Sequence, residues 1–308
     1  MGSRRPPHQR HLRVARGRFA YRSRRIRART TPSWSVVLGG LPPNTLMSSP
    51  VDDVVGSSVD ETTLVIPCFN EMERLHRSCI TALVANPRIR LLLVNDGSTD
   101  ATLILLRDLA DEHVGVDVLD LVNNRGKAEA VRIGMQHAAA RGSAVVGYCD
   151  ADMATPVEEL LRLEDLLQQN PSLEVLLATR VALLGHHVDR SIARHYLGRL
   201  FATAASAVLN IRVYDTQCGA KFFRNTVALR SAICEPFNSR WAFDVELLGR
   251  LLAGGRGQPP INPVSILEVP LKVWSDVAGS KLTPMASLRA GADLFVIWRA
   301  LDRWRTAR

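Results

Sequence analysis

From Thr62 onward the chain alternates short apolar, β-rich runs with segments of helical periodicity, and each apolar run empties into a polar loop. That alternation predicts an α/β fold with a mostly parallel sheet and helices on both faces, since parallel strands need crossover connections that cover the sheet. The strand-like runs are residues 63–67, 91–95, 116–121, 144–149 and 175–179. Residues 71–85, 100–113 and 127–140 carry apolar side chains at helical spacing, with Asn86-Pro87 and Gly142 as stops. Ligands of open α/β sheets bind outside the carboxyl ends of the strands, so the polar loops are where chemistry is expected.

Size and charge narrow the functional classes. With 308 residues, 46% hydrophobic and 22% charged, the chain has material for one large domain or two small ones, which excludes disulfide-stapled mini-proteins, collagen-like repeats and wholesale disorder. The five cysteines (68, 79, 149, 218 and 234) are scattered without a C-x-x-C pair, as expected of free thiols in a reducing compartment. A net charge of +9 invites a nucleic-acid reading, but residues 1–51 hold eleven arginines, no lysine and no acid. Removing those eleven from the 39 basic residues leaves 28 against 30 acids, so the body is nearly neutral.

Residues 1–58 are therefore read as a disordered Arg-rich tail and linker, with Met47 favoured as the native start, 59–283 as the folded domain, and 284–308 as a C-terminal amphipathic helix. No window offers the roughly 20 continuous apolar residues of a membrane span. No compact apolar segment with a cleavage site follows the basic block.

Four loops carry the chemistry: Pro67-Cys68-Phe69-Asn70-Glu71, Asn95-Asp96-Gly97-Ser98-Thr99-Asp100, Asn123-Asn124-Arg125-Gly126-Lys127 and Asp150-Ala151-Asp152. A lone Asp or Ser before a helix is ordinarily an N-cap, but four polar loops on one sheet edge are a narrower coincidence. No G-x-G-x-x-G follows the first strand and no G-x-x-x-x-G-K-[ST] occurs, which removes the main support for dinucleotide and P-loop sites. Asp150 and Asp152, flanking Ala151, place two carboxylates where they converge on one divalent ion, and oxygen ligands of this kind suit Mg²⁺ or Mn²⁺. The same pair also suits a solvated acidic turn capping the helix that begins near Pro156.

Together these loops resemble the family 2 glycosyltransferases of the GT-A (Rossmann-like) fold, through Pro67-x-x-Asn70-Glu71, Asp96-Gly97-Ser98-Thr99-Asp100, Asn124-x-Gly126-Lys127 and Asp150-Ala151-Asp152. Three further blocks are similar to the dolichyl-phosphate β-glucosyltransferase branch and to polyprenyl-phosphate glycosyltransferases generally: residues 215–223 (DTQCGAKFF), 240–248 (RWAFDVELL) and 279–282 (GSKL). The resemblance implies that Pro67, Phe69, Asn70, Glu71 and Asp96 hold the uridine of a UDP-sugar, with Lys127 and Ala151 nearby, and that Asp150 and Asp152 hold the metal, Asp152 counting as catalytic. It also implies acceptor-phosphate contacts from Arg180, Arg194, Lys221 and Lys281, a catalytic acceptor-side Asp215, and sugar contacts from Gln217, Trp241 and Asp244 or Glu246, with Phe243 and Leu247 as helix core.

A polyprenyl or dolichyl phosphate is already an anionic nucleophile near neutral pH, its second pKa being about 6, so it needs capture and alignment more than a general base. Arg180, Arg190 and Arg194, following the fifth strand, suit bidentate phosphate binding. His186 and His187 are assigned nothing.

Two departures from the family pattern stand out. Met153 and Ala154 follow the Asp-x-Asp loop where many relatives carry another polar ligand, and the membrane spans of many relatives are absent. Lipid contact then falls to helices over 191–213 (Tyr196, Leu197, Leu200, Phe201, Val208, Leu209) and 287–304 (Leu294, Phe295, Ile297, Trp298, Leu301, Trp304), a pattern that interfacial and core-facing helices share.

The expected activity is an inverting transfer of a hexose, glucose first, from UDP-sugar to dolichyl or polyprenyl phosphate by a peripheral protein on the cytosolic face of a membrane. The alternatives are the same donor chemistry on a soluble acceptor, and nucleic-acid binding through the tail, whose steep salt dependence would vanish on deleting residues 1–46.

Overall fold

The computed structural model describes residues 61–181, 183–189, 192–255, 257–275 and 284–306. The Arg-rich tail, Arg190 and the Gly279-Ser280-Lys281-Leu282 block lie outside the described residues, as does the side chain of Arg194.

Strands and helices alternate as β1 (Thr62–Cys68), α1 (Arg77–Val84), β2 (Ile89–Asn95), α2 (Thr102–Glu112), β3 (Val116–Asp120), α3 (Lys127–Ala140), β4 (Val145–Tyr148), α4 (Val157–Gln168) and β5 (Val175–Thr179). There follow β6 (His187–Asp189), α5 (Ile192–Leu209), β7 (Lys221–Arg224), α6 (Val227–Ala232), α7 (Phe243–Ala253), β8 (Ile266–Pro270), β9 (Val273–Ser275) and α8 (Pro284–Thr306). The main sheet runs β3-β2-β1-β4-β7-β5-β8, parallel except for β7, while β6 and β9 pair separately.

Strand side chains point alternately to the two faces, which feeds two apolar layers from β1. Leu64 and Ile66 belong with Ile80, Leu106 and Leu163 of α1, α2 and α4; Val65 belongs with Val131, Met135 and Leu247 of α3 and α7.

This order places the site. The chain runs outward from β1 through β2 to β3, then returns to lay β4 on the other side of β1. The switch of direction opens a crevice at the carboxyl ends of β1 and β4, the loops of Pro67 and Asp150. Antiparallel β7 begins beside the ends of β4 and β5, with Lys221 paired to Tyr148 and Leu177, so the residues just before it meet both strand exits.

One expected element is shorter than its pattern. The helix anticipated from Glu71 starts at Arg77, because the Glu71 N–H donates to Thr102 Oγ1 (2.8 Å) and Asn70 stands at φ 55°, which ties the turn to the second loop.

The C-terminal helix buries one set of its apolar side chains and leaves another exposed. Leu294, Ile297 and Leu301 of α8 are buried with α7, each such side chain being worth ~1.5–3 kcal/mol on leaving water. Phe295, Val296 and Trp298 stay exposed, as do Tyr196, Leu197 and Leu200 of α5. Among the described residues no helix is long and apolar enough to cross a membrane.

Candidate active site

The first two loops are stitched together through the main chain. Asn70 Oδ1 accepts the Thr99 N–H (2.8 Å), and the Asn70 N–H donates to Ser98 Oγ (3.1 Å). Gly97, at φ 66°, passes so close to the third loop that a Cβ there would lie 2.5 Å from Asn124 N.

Asp96 is 2% exposed; its Oδ1 accepts the Arg125 N–H (2.7 Å) and its Oδ2 the Gly126 N–H (2.8 Å). Two of the roughly four acceptor positions of the carboxylate are thus spent on shaping the third loop. Burial raises the Asp96 carboxyl above its ordinary value, against those N–H donors and the nearby Arg240 and Arg125. Arg240 Nη2 donates to Arg125 O (2.9 Å), which ties the segment before α7 to the same loop.

Asp150 and Asp152 leave β4 at the switch point. Lys127, the first residue of α3, sets its ammonium against Asp150 Oδ1. Desolvation, which would lower the Lys127 pKa, is outweighed by Asp150, Asp244 and Asp152, so the group is held above its ordinary value. Asp152 Oδ1 accepts the Ala154 N–H (3.2 Å). Burial and the Asp150 charge raise the Asp152 carboxyl, a strain that a cation between the two carboxylates would relieve.

Gly219 supplies the space for this. A Cβ on it would fall 2.1 Å from Asp150 Oδ2, so only glycine lets that carboxylate lie where it does. Two hard oxygen donors at the carboxyl edge of the sheet, one of them sterically confined by Gly219, fit Mg²⁺ or Mn²⁺, which keep waters and share coordination with phosphates. Among the described residues no group of three or more His, Cys, Asp or Glu is set to hold a metal, so these two carboxylates would be the chain's contribution.

Behind this loop lies a buried charged layer. Lys221 is fully buried, and its Nζ donates to Cys218 O (2.6 Å) and Asp244 Oδ1 (2.7 Å); the Tyr148 hydroxyl donates to the same carboxylate oxygen. Lys221, expected at the acceptor phosphate, and Asp244, expected at the sugar, therefore face each other inside the protein. An ammonium desolvated to this degree needs its counter-charge and hydrogen bonds within the fold. Glu246 is likewise internal, bound to Arg250 Nη2 (2.7 Å) and Asn238 Nδ2 (2.7 Å), while Phe243 and Leu247 are core.

The opposite wall follows β5. Arg180 grips Asp215 through its main-chain N–H (3.1 Å), Nε (2.7 Å) and Nη2 (2.9 Å), and its guanidinium lies 5.3 Å from the Trp274 ring centre. Burial, which works against the charged guanidinium, is overcome by Asp215, and Arg180 is held above its ordinary range. The Asp150 charge also favours the charged guanidinium, and the pairing of Lys221 with Tyr148 and Leu177 sets the exits of β4 and β5 on either side of β7. Glu268 supports the arrangement from β8, accepting the N–H groups of Tyr214 (2.8 Å) and Asp215 (3.2 Å). Gln217 Nε2 donates to Trp241 O (3.2 Å), and Trp241 is 45% exposed.

Cys68, Cys149 and Cys218 are buried free thiols whose pKa burial pushes up, which removes them as nucleophiles. Sequence reasoning did not single out Gly219, Glu268, Arg240 or Tyr148. Gly219 and Arg240 lie inside the blocks that carried the resemblance, whereas Glu268 and Tyr148 left no local signal.

Residues 63–229 match the sequence model described as glycosyl transferase family 2. A dolichyl-phosphate beta-glucosyltransferase of Drosophila melanogaster is 35% identical over 288 residues, covering 87% of this chain and 84% of that protein. The Homo sapiens dolichyl-phosphate beta-glucosyltransferase is 32% identical over 264 residues, 78% of this chain and 76% of the other. Among solved structures, glucosyl-3-phosphoglycerate synthase from Mycobacterium tuberculosis, in complex with Mn²⁺, UDP and glucosyl-3-phosphoglycerate, shares the fold with a TM-score of 0.57 at 18% identity, over 79% of this chain and 80% of that one.

Proposed function

The chain belongs to glycosyl transferase family 2, and on that premise we propose that it moves glucose from UDP-glucose to the phosphate of a dolichyl or polyprenyl lipid, inverting the anomeric carbon, at a membrane surface. The observation that carries this reading is the meeting of two unlike walls at the start of β7: an acidic pair, Asp150 and Asp152, beside a rigid cation, Arg180.

The uridine lies against the loops of Pro67, Phe69, Asn70 and Glu71, with Asp96 holding the third loop in shape beneath it. Asp150 and Asp152 would hold a Mg²⁺ or Mn²⁺ ion, which would supply positive charge against that building on the departing diphosphate. Arg180, oriented by Asp215, receives the acceptor phosphate; Arg194 and Lys281 are further candidate cations from the sequence. A phosphate oxygen forms the new bond to the sugar's anomeric carbon as the bond to the UDP oxygen breaks, and UDP carries away the electron pair. The attacking phosphate is mostly dianionic at neutral pH, so no proton must be removed, which suits an Asp215 engaged by Arg180 and not poised as a base. Trp241 and Gln217 flank the sugar; Asp244, through Lys221 and Tyr148, stiffens the floor below it. Exposed Tyr196, Leu197 and Leu200 of α5, with Phe295 and Trp298 of α8, are the apolar surface available for contact with lipid.

The test is transfer of radiolabel from UDP-glucose to dolichyl phosphate with Mn²⁺ or Mg²⁺, against a panel of other UDP-sugars and a chelated control. Label in the organic phase, dependent on metal, is expected. Glucosylated water-soluble product alone would retire the lipid acceptor.

A further inference from the structure

We propose that Lys127 holds the metal's place on Asp150 until the sugar nucleotide arrives, so that the divalent cation and the donor bind as a coupled pair. This rests on the reading of Asp150 and Asp152 as metal ligands and adds an exchange between two cations at one carboxylate.

The Lys127 ammonium lies against Asp150 Oδ1, an oxygen a metal would need. Its main chain is fixed, because it follows Gly126, whose N–H is held by Asp96 Oδ2 (2.8 Å). Its side chain is 46% exposed and ends in a compact charge on a flexible stem, so it has room to leave. Asp150 has less freedom, packed where any side chain on residue 219 would collide with it. Asp244 also favours the Lys127 charge, but its Oδ1 is taken by Lys221 and Tyr148, and the ion pair that Lys127 makes is with Asp150.

Charge bookkeeping sets the direction. Two carboxylates and one ammonium leave the loop one charge negative; a divalent ion alone would turn it positive and strand the lysine beside a second cation. The donor's diphosphate restores the balance and gives the displaced ammonium a new anionic partner. Metal and nucleotide then strengthen each other's binding, a coupling that is reciprocal by necessity.

Mn²⁺ binding to the full chain, read from the electron paramagnetic resonance of free Mn²⁺, tests this with and without UDP. In the absence of UDP, Lys127→Met should bind Mn²⁺ on the order of tenfold more tightly than the parent, and should gain less from added UDP. Lys127→Arg, which keeps the charge, should stay as weak as the parent, and adding Asp150→Asn to Lys127→Met should erase the gain. Equal or weaker Mn²⁺ binding by Lys127→Met without UDP, in a protein whose circular dichroism matches the parent, overturns the exchange while leaving the metal site standing. No Mn²⁺ binding by either protein even with UDP overturns both readings.

Discussion

On the side of Asp150 the loops hold one another largely through the main chain: Asn70 to Thr99 and Ser98, Asp96 to the N–H groups of Arg125 and Gly126, Glu71 to Thr102. On the side of Arg180 the wall turns on an ion pair between side chains distant in sequence, Arg180 and Asp215, with the Asp215 main chain held in turn by Glu268. The difference teaches where scaffold and chemistry separate. Between Asp150 and Asp152 a reactive side chain sits on a frame built without it, so its removal should cost activity and little else. In the wall of Arg180 the same side chains make the frame and, on the function proposed above, meet the acceptor, so their removal should cost both.

The largest expected effect tests the first half of that contrast. Asp150→Ala and Asp152→Ala should each lower turnover about a thousandfold, equivalent to ~4 kcal/mol of transition-state stabilisation, with the melting temperature near that of the parent. Chelating the parent should mimic them. A fall in melting temperature that tracks the lost activity would erase the distinction between the two walls. Gly219→Ala sharpens it by reaching Asp150 without touching substrate: the added methyl must push the carboxylate aside, and turnover should fall about a hundredfold while UDP affinity in metal-free buffer is unchanged. Unaltered Mn²⁺ affinity in that variant would show that Asp150 is not confined as described.

Asp215→Asn tests the second half. The asparagine keeps one acceptor oxygen but leaves the buried Arg180 guanidinium partly unmatched, so both stability, by ~2 kcal/mol, and acceptor-side function should decline. The KM for lipid phosphate should rise about tenfold while UDP binding holds. Equal loss on donor and acceptor would place Asp215 outside the acceptor wall.

The same contrast governs what was legible in the sequence. The strand at Val175–Thr179 and the helix at Lys127–Ala140 were readable to the residue, because an unbroken apolar run and a Gly-bounded periodic segment depend on local preference. The Asp-x-Asp loop and its neighbours were readable for the same reason. The segment from Glu71 to His76 was not, since Thr102, distant in sequence, holds it out of the helix. Lys221 reads as a solvent-seeking cation; only the pairing of β7 between β4 and β5 buries it, and only α7 supplies Asp244. Glu268 and Tyr148 sit in β-rich surroundings that say nothing of their partners.

The smallest expected effect separates the walls by the sign of a pH dependence. Burial raises the Glu268 carboxyl above its ordinary value, against the N–H groups of Tyr214 and Asp215, with Asp215 adding to the rise. Below the ordinary glutamate value of about 4.3 both folded and unfolded chains are protonated there; as pH climbs through the raised folded value the unfolded chain sheds its proton first, and stability falls. Asp100, in the second loop, is the reverse: desolvation is outweighed by hydrogen bonds from Thr102, and its carboxyl is held below the ordinary aspartate value. Its contribution is present above that value and is lost as pH drops through the folded one. Melting curves from pH 3 to 7 should therefore show the gap between parent and Glu268→Gln shrinking as pH rises, and the gap between parent and Asp100→Asn growing. Slopes of the same sign would mean that both carboxylates are held alike, and that main-chain donors dominate on the acceptor side as they do on the donor side.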